Sequence, residues 1–291
     1  MHLAPDFSRL TPLVLAAVFL LFMALEAAFP LRVRRRPLIP RLVVNLSFLA
    51  GVFALGIYVV RPVALALALG AADYKLGLLN LVTLPYPARF ILGFLLMDLT
   101  FYWWHRANHV FPLLWRFHSV HHLDPDLDVS TSFRFHWGEI LYSTGFRVFQ
   151  VGLLGVDPFI YLTYELVYEL ATFFQHSNIR LPLTFESGLN QALVTPRMHG
   201  VHHSVVSEEV GSNFSVIFRW WDSLHRTLTL NVPQRDITIG VAGYLAPGDN
   251  RLWRLLSLPF RLSPDYWRFP DGKVPTRDKT DLTFKRGFML E

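Results

Sequence analysis

The chain has 291 residues, 52% of them hydrophobic, a formal net charge of +5 and no cysteine, with a mean hydropathy of +0.33. That apolar content points away from an ordinary soluble domain and towards a membrane protein. The missing cysteine excludes disulfides, thiolate metal ligands, Cys-bound iron–sulfur clusters and cysteine nucleophiles, so any metal here is held by nitrogen and oxygen.

In chain order, Thr11–Phe29, Leu42–Val60 and Ala88–Trp104 each approach the ~20 apolar residues that cross a bilayer. The first begins too late and runs too far for a secretory signal. It ends in Arg32-Val33-Arg34-Arg35-Arg36, a stop-transfer and orientation signal. The excess positive charge is largely such juxtamembrane arginine, which accounts for it without nucleic acid. Positive-inside bias places residues 31–41 in the cytoplasm, and the second span returns outward. Residues 62–87, carrying Pro62, Pro85 and Pro87 and a short apolar stretch 63–69, are predicted as an outer connection that partly re-enters. The third span then delivers His105 to the cytoplasmic side.

The apolar stretch Ile140–Phe174 breaks at Gly155-Val156-Asp157-Pro158 and carries Arg147, Glu165 and Glu169. Each half, at about 15 residues, is short for a free-standing span. A hairpin that dips deep or spans while packed on the other helices is expected, returning to its starting side. The predicted fold is an all-α integral membrane protein of about four to five transmembrane or re-entrant helices with a cytoplasmic histidine-rich helical cap. Its expected divisions are N-terminal transmembrane helices over 1–87, a catalytic region over 88–230 and a cytoplasmic C-terminal tail over 231–291.

Histidines carry the chemistry. Of 12, only His2 precedes residue 105 and none follows His225. His105-x-x-x-His109 is followed by two copies of one pattern, His118-x-x-His121-His122 and His199-x-x-His202-His203. Spacings of three and four place imidazoles on one helix face. The adjacent pair in each copy is about 100° apart and suits two different metals. Pro112 ends the helix that carries the first pair, residues 113–122 form a second short helix stopped by Asp124-Pro125, and Thr195 with Pro196 starts a third. Burying so many unpaired rings beside a membrane is costly unless something coordinates them. Two ions are the simplest reading of eight clustered histidines. His-Glu-x-x-His is absent, as is the Glu-x-x-His of soluble di-iron bundles. His225 stands outside the clusters and is read as structural. Asp98, Asp124, Asp126, Asp128 and Glu139 are candidate charge compensators, with a hydrogen bond to a neighbouring helix an equal alternative for Asp98.

These three boxes, in this order and spacing, resemble the fatty acid hydroxylase/sterol desaturase superfamily of membrane di-metal oxygenases. Leu114 to His122, Ser130-Thr131, Arg134-x-His136-x-x-Glu139, Gln175-His176-Ser177-Asn178, Thr195-Pro196-x-Met198-His199, Ser212-Asn213-Phe214 and Trp221-Asp222 support the likeness. It covers about residues 88–230. Trp137 replaces the family's usual proline, and Ser223-Leu224-His225-Arg226-Thr227 replaces its Arg-Leu-Phe-Gly-Thr. The resemblance implies that His105, His109, His118, His121, His122, His199, His202 and His203 are metal ligands, and that His136 and His176 complete the two shells. It further implies two iron ions, replaceable by zinc during purification, and O2 as co-substrate. The reaction would hydroxylate or desaturate a C–H bond of a sterol, fatty acyl or other lipid. Without a cysteine cluster, haem or flavin module, electrons must come from a separate reductase or small carrier. The expected location is the cell inner membrane, with the boxes on the cytoplasmic side. The alternatives are a histidine-lined metal-ion transporter, whose ligands would spread through the bilayer depth, and a zinc-dependent hydrolase, which needs a glutamate beside the metal.

Overall fold

The structure, a computed structural model, describes residues 5–261 and 265–277. Residues 262–264 and 278–291 of the expected C-terminal tail lie outside the described residues. Helix α1 spans Pro5–Ala28. After it, α2 (Leu38–Leu55), a π-helical turn (Gly56–Val60) and α3 (Arg61–Asp73) form one uninterrupted helical rod. Here the structure departs from the sequence reading, which ended this helix at Val60 and made residues 62–87 an outer connection. Pro62 should clash with the carbonyl four residues back and leave it unbonded. The π turn removes the conflict, because the Arg61 N–H reaches back five residues to Gly56 O and Pro62 falls in the first turn of α3. Ala64, Ala68 and Ala71 are buried on one face and let the rod pack closely.

The chain returns through α4 (Tyr86–Val110), turns at Phe111 into α5 (Pro112–His122), and forms a hairpin from α6 (Trp137–Leu154) and α7 (Pro158–His176). The rod and α6 run side by side in the same direction. At one end the Trp137 indole donates to Phe48 O at 3.4 Å; at the other, Gly77 abuts Gly155. A Cβ on Gly77 would lie 2.4 Å from the Gly155 nitrogen, and Gly155 itself has φ +68 in the left-handed region that closes α6. Asn80 and Arg89 also donate to Gly155 O. The hairpin therefore reaches the far end of the bundle instead of dipping partway. Asp157 caps α7 through the N–H groups of Phe159 and Ile160. Helix α1 ends beside the C-terminus of α7, where Leu31 N–H bonds Asn178 O and Arg180 N–H bonds Phe29 O.

At this end of the bundle sits the cap, built on α5, α8 (Leu183–Leu189), α9 (Pro196–His202), α10 (Ser207–Val210), α11 (Trp220–His225) and α12 (Leu252–Ser257). The sheet content among the described residues is three isolated bridges. Arg41, buried at the start of the rod, ties cap to bundle through Asp124 at 2.7 Å and Asp128 at 2.6 Å. Cores cross the expected divisions: Ala64 packs with Met97 and Ile160, and Phe48 with Trp115, Val241 and Leu255. Two helical stretches, Leu10–Ala28 and Leu38–Asn80, are long and apolar enough to cross a membrane.

Candidate metal centre

Four helices present histidines to one buried volume. Helix α4 carries its last two turns beyond the apolar stretch, bringing His105 and His109, one turn apart, to the cap. Phe111 is extended (φ −85, ψ 117), so α5 starts afresh at Pro112 with a new direction. Helix α9 starts at Pro196 as the sequence suggests, but Thr195 makes no side-chain cap. Glu186 of α8 accepts the Arg197 N–H at 3.0 Å and pairs with the Arg197 guanidinium at 2.9 Å. The cap of α9 is thus supplied from ten residues upstream, where no local pattern announces it.

Nine of the ten histidines expected as ligands fall into two adjacent groups: His105, His109, His118, His122 and His202, and His121, His176, His199 and His203, each with ligand atoms within 4.8 Å of one another. Each His-x-x-His-His box is divided between them. In α5 the i and i+4 rings join the first group and the i+3 ring the second. In α9 the assignment is reversed. The groups touch through the stacked rings of His122 and His203, 4.3 Å apart.

His136, the tenth, is brought to neither group. Its Nδ1 accepts the Gly138 N–H at the start of α6 and its Nε2 donates to Leu256 O at 3.1 Å, so both ring nitrogens are committed elsewhere. His225 bonds Trp221 O and stacks on Tyr102, also outside both groups.

Four histidines have Nδ1 bonded from behind: His105 to Phe214 O (2.7 Å), His202 to Ser212 O (2.6 Å), His176 to Thr172 O (2.7 Å) and His118 to Glu139 Oε1 (2.8 Å). Such bonds fix the tautomer and leave Nε2 as a lone-pair donor facing inward. In the second group Nε2 atoms lie 3.0 Å apart for His121 and His176, 3.0 Å for His176 and His199, and 3.1 Å for His199 and His203. Donors at right angles around an ion ~2.1 Å away stand about 3.0 Å apart, which these separations match. Hydrogen bonds between rings do not account for the cluster, because Nδ1 of His121, His199 and His203 and both nitrogens of His122 are buried without partners. The donor set fits two nitrogen-bound ions.

Burial first, then neighbouring histidines, push His121, His122, His199 and His203 well below the ordinary histidine range, and burial pushes His202 down to about 3. Neutral imidazole is the metal-binding form. Among the described residues, Glu139 is the carboxylate hydrogen-bonded to a ring of either group. The aspartates weighed as charge compensators face elsewhere. Asp124 and Asp128 hold Arg41, Asp126 accepts the N–H groups of Arg35 and Arg36, and Asp98 accepts from the Trp221 indole at 2.7 Å and Phe218 N–H. The supporting carbonyls of Thr172, Ser212 and Phe214 went unread in the sequence, since a backbone acceptor has no residue-type signature.

Residues 90–227 match the fatty acid hydroxylase family. The chain is 30% identical over 165 residues to an ornithine lipid hydroxylase of Rhizobium tropici, covering 56% of this chain and 49% of the relative. It is 29% identical over 153 residues to alkylglycerol monooxygenase of Homo sapiens (51% and 33%). A third relative is cholesterol 25-hydroxylase of Rattus norvegicus, at 28% over 159 residues (53% and 51%). The chain thus spans about half, or less, of the length of these relatives. No solved structure matches it.

Proposed function

We propose, from the match of residues 90–227 to the fatty acid hydroxylase family, that the chain belongs to that family and is a membrane-bound di-iron oxygenase acting on a C–H bond of a lipid. The carrying observation is the pair of buried histidine groups, in each of which ring Nε2 atoms face one another at coordination spacing. The first group would hold one iron and the second the other, with His136 outside both shells. When bound, the two irons supply O2 activation and the oxidising power for hydroxylation or desaturation.

The protein's share is positioning, dryness and charge. Carbonyls of Thr172, Ser212 and Phe214 and the Glu139 carboxylate orient four rings. The cap seals the centre: every ring of both groups is buried except the half-buried His109. Both groups lie at one end of the bundle, where a lipid can be presented from the membrane. That placement favours an oxygenase over a transporter, whose ligands would be strung through the depth. Glu139 lies behind His118, on the side away from the other rings, which disfavours it as a hydrolytic base.

In this reading α1, the rod, α4, α6 and α7 make five passes, and Arg32–Arg36 keep the cap in the cytoplasm of a cell with the protein in its inner membrane. Residues 1–87 serve as membrane helices, 88–230 as the catalytic part, and 231–291 as cap and tail. The substrate is a lipid, as the names of the relatives suggest, and a separate protein donates electrons. The test is metal content of the full chain expressed with iron supplementation, together with reductant-dependent O2 uptake and mass spectrometry of added lipids. Two irons per chain, uptake and an oxidised lipid support the reading. One zinc per chain and no uptake by iron-replete protein would sink it.

A further inference from the structure

We propose that electrons reach the first histidine group through Trp267 and Trp115, and that the surface around Trp267 receives an acidic one-electron carrier protein. The proposal rests on the oxygenase reading. That chemistry, RH + O2 + 2 e⁻ + 2 H⁺ → ROH + H2O, needs two electrons and two protons per turnover. The protons come from water. The electrons come one at a time from the reduced centre of the carrier, which is oxidised as a ferric ion of the first group is reduced, with no bond made or broken in the protein.

The route is written in ring contacts. Trp267, half-buried on the cap surface, stacks on Trp115 with centroids 5.4 Å apart and planes at 20°. Trp115 is itself buried and lies 5.0 Å from His109 and 5.3 Å from His122, both in the first group. No step between ring centroids exceeds 5.4 Å. Electron tunnelling weakens exponentially with the gap, so a short file of rings in contact is where it runs. A second file starts at exposed Trp103 and passes through Tyr102 and Phe214 to His202. It takes three contacts instead of two, and it starts inside the apolar stretch of α4, where a water-soluble carrier does not sit.

Charge says what docks. On the segment that carries Trp267, Arg268 pairs with Asp265 and Lys273 with Asp271, which leaves exposed Arg261, whose carbonyl accepts from Arg116 beside Trp115, as the excess positive charge nearby. A basic side chain beside a half-buried aromatic suits a partner with an acidic face. The bland account of Trp267 is packing: it fills the cluster that also holds Leu252 and Leu256. Phenylalanine there preserves a stacked ring, and leucine preserves only apolar bulk.

The experiment uses the full-length chain in detergent, loaded with ferric iron. The probe is photoreduced plant-type ferredoxin, an acidic iron–sulfur protein of low potential, and loss of ferric absorbance is followed by stopped flow. Trp267→Leu is expected to slow this reduction about tenfold, and added salt to slow the wild type. Iron content, thermal midpoint and the final extent of reduction by dithionite should stay at wild-type values, while Trp267→Phe keeps most of the rate. Wild-type rates in Trp267→Leu, or slowing in Trp103→Leu instead, overturn the route. A wild type reduced by dithionite but not by ferredoxin overturns the acidic carrier. A wild type that binds no iron, or whose iron dithionite cannot reduce, overturns the oxygenase reading and the route with it.

Discussion

The Glu139 carboxylate accepts the Nδ1 proton of His118 at 2.8 Å, while its other oxygen is buried without a partner. This places one carboxylate directly behind a ring of the five-histidine group, whereas among the described residues no carboxylate is hydrogen-bonded to a ring of the four-histidine group. A carboxylate in that position raises the basicity of the ring and holds its tautomer.

Glu139→Gln should therefore weaken metal binding at one of the two positions by about 10- to 100-fold and leave the other close to wild type. Competition against a chelator, using cobalt as a visible probe, resolves the two affinities. Equal affinities in variant and wild type would remove Glu139 from the centre.

His136 lies outside both histidine groups. Because it caps α6 and bonds Leu256 O, His136→Ala should cost about 1 kcal/mol of stability with metal per chain unchanged. His136→Asn, which restores a capping oxygen, should recover most of that loss. Metal lost in either variant would return His136 to the ligand set.

His121→Ala and His202→Ala each remove a donor, from the second and first groups respectively. Both should lower metal content and abolish lipid oxidation. His225→Ala should do neither, since that ring packs on Tyr102 and Trp103 and bonds Trp221 O, outside both groups. Elemental analysis beside a product assay decides.

The join between cap and bundle should be just as sensitive. Burial alone would raise the Asp124 carboxyl, but Arg41 and Arg134 hold it well below the ordinary carboxylate range. Arg41→Met removes the guanidinium that pairs with two buried aspartates and should cost about 3–5 kcal/mol, read as a lowered thermal midpoint.

Acid should destabilise the metal-free chain in two stages. In the folded state His121, His122, His199, His202 and His203 resist protonation, His202 down to about 3, whereas in the unfolded chain they protonate below about 6.5. The unfolded state binds more protons there, so stability falls as pH drops from 6.5, by up to about 1.4 kcal/mol per pH unit for each such ring. A second loss begins below about 4, where unfolded aspartates protonate and the stabilising Asp124 charge is progressively forfeited. Thermal midpoints from pH 8 down to about pH 2, with and without chelator, test this. A flat profile in the metal-free chain contradicts it.

Much of the centre was legible because imidazoles at i, i+3 and i+4 leave a helix on one side whatever its surroundings. The apolar runs of α1, α2 and α4 were legible for the same reason of local regularity. Local pattern failed at Pro62, where one π turn carried the helix through a residue that ordinarily ends it. It also failed to separate His136 from His176. Both are lone histidines near a helix terminus, but one starts α6 beneath the Leu256 carbonyl and the other ends α7 with Nε2 3.0 Å from that of His121. Only the packing of α7 against α9 distinguishes them. The capping of α9 by Glu186 belongs to the same class of long-range fact.

A last consequence follows from the sharing of α5 and α9 between the two histidine groups. The first group also draws on α4, and the second on α7. Ions bound there would rivet the ends of two long bundle helices to the cap, closing loops as long as the 97 residues between His105 and His202. A chain without cysteine would thus obtain from nitrogen–metal bonds the cross-linking that secreted proteins obtain from disulfides, where closing a loop of ~100 residues is worth about 4–5 kcal/mol. Stripping the metal would then unfasten the architecture as well as silence the chemistry.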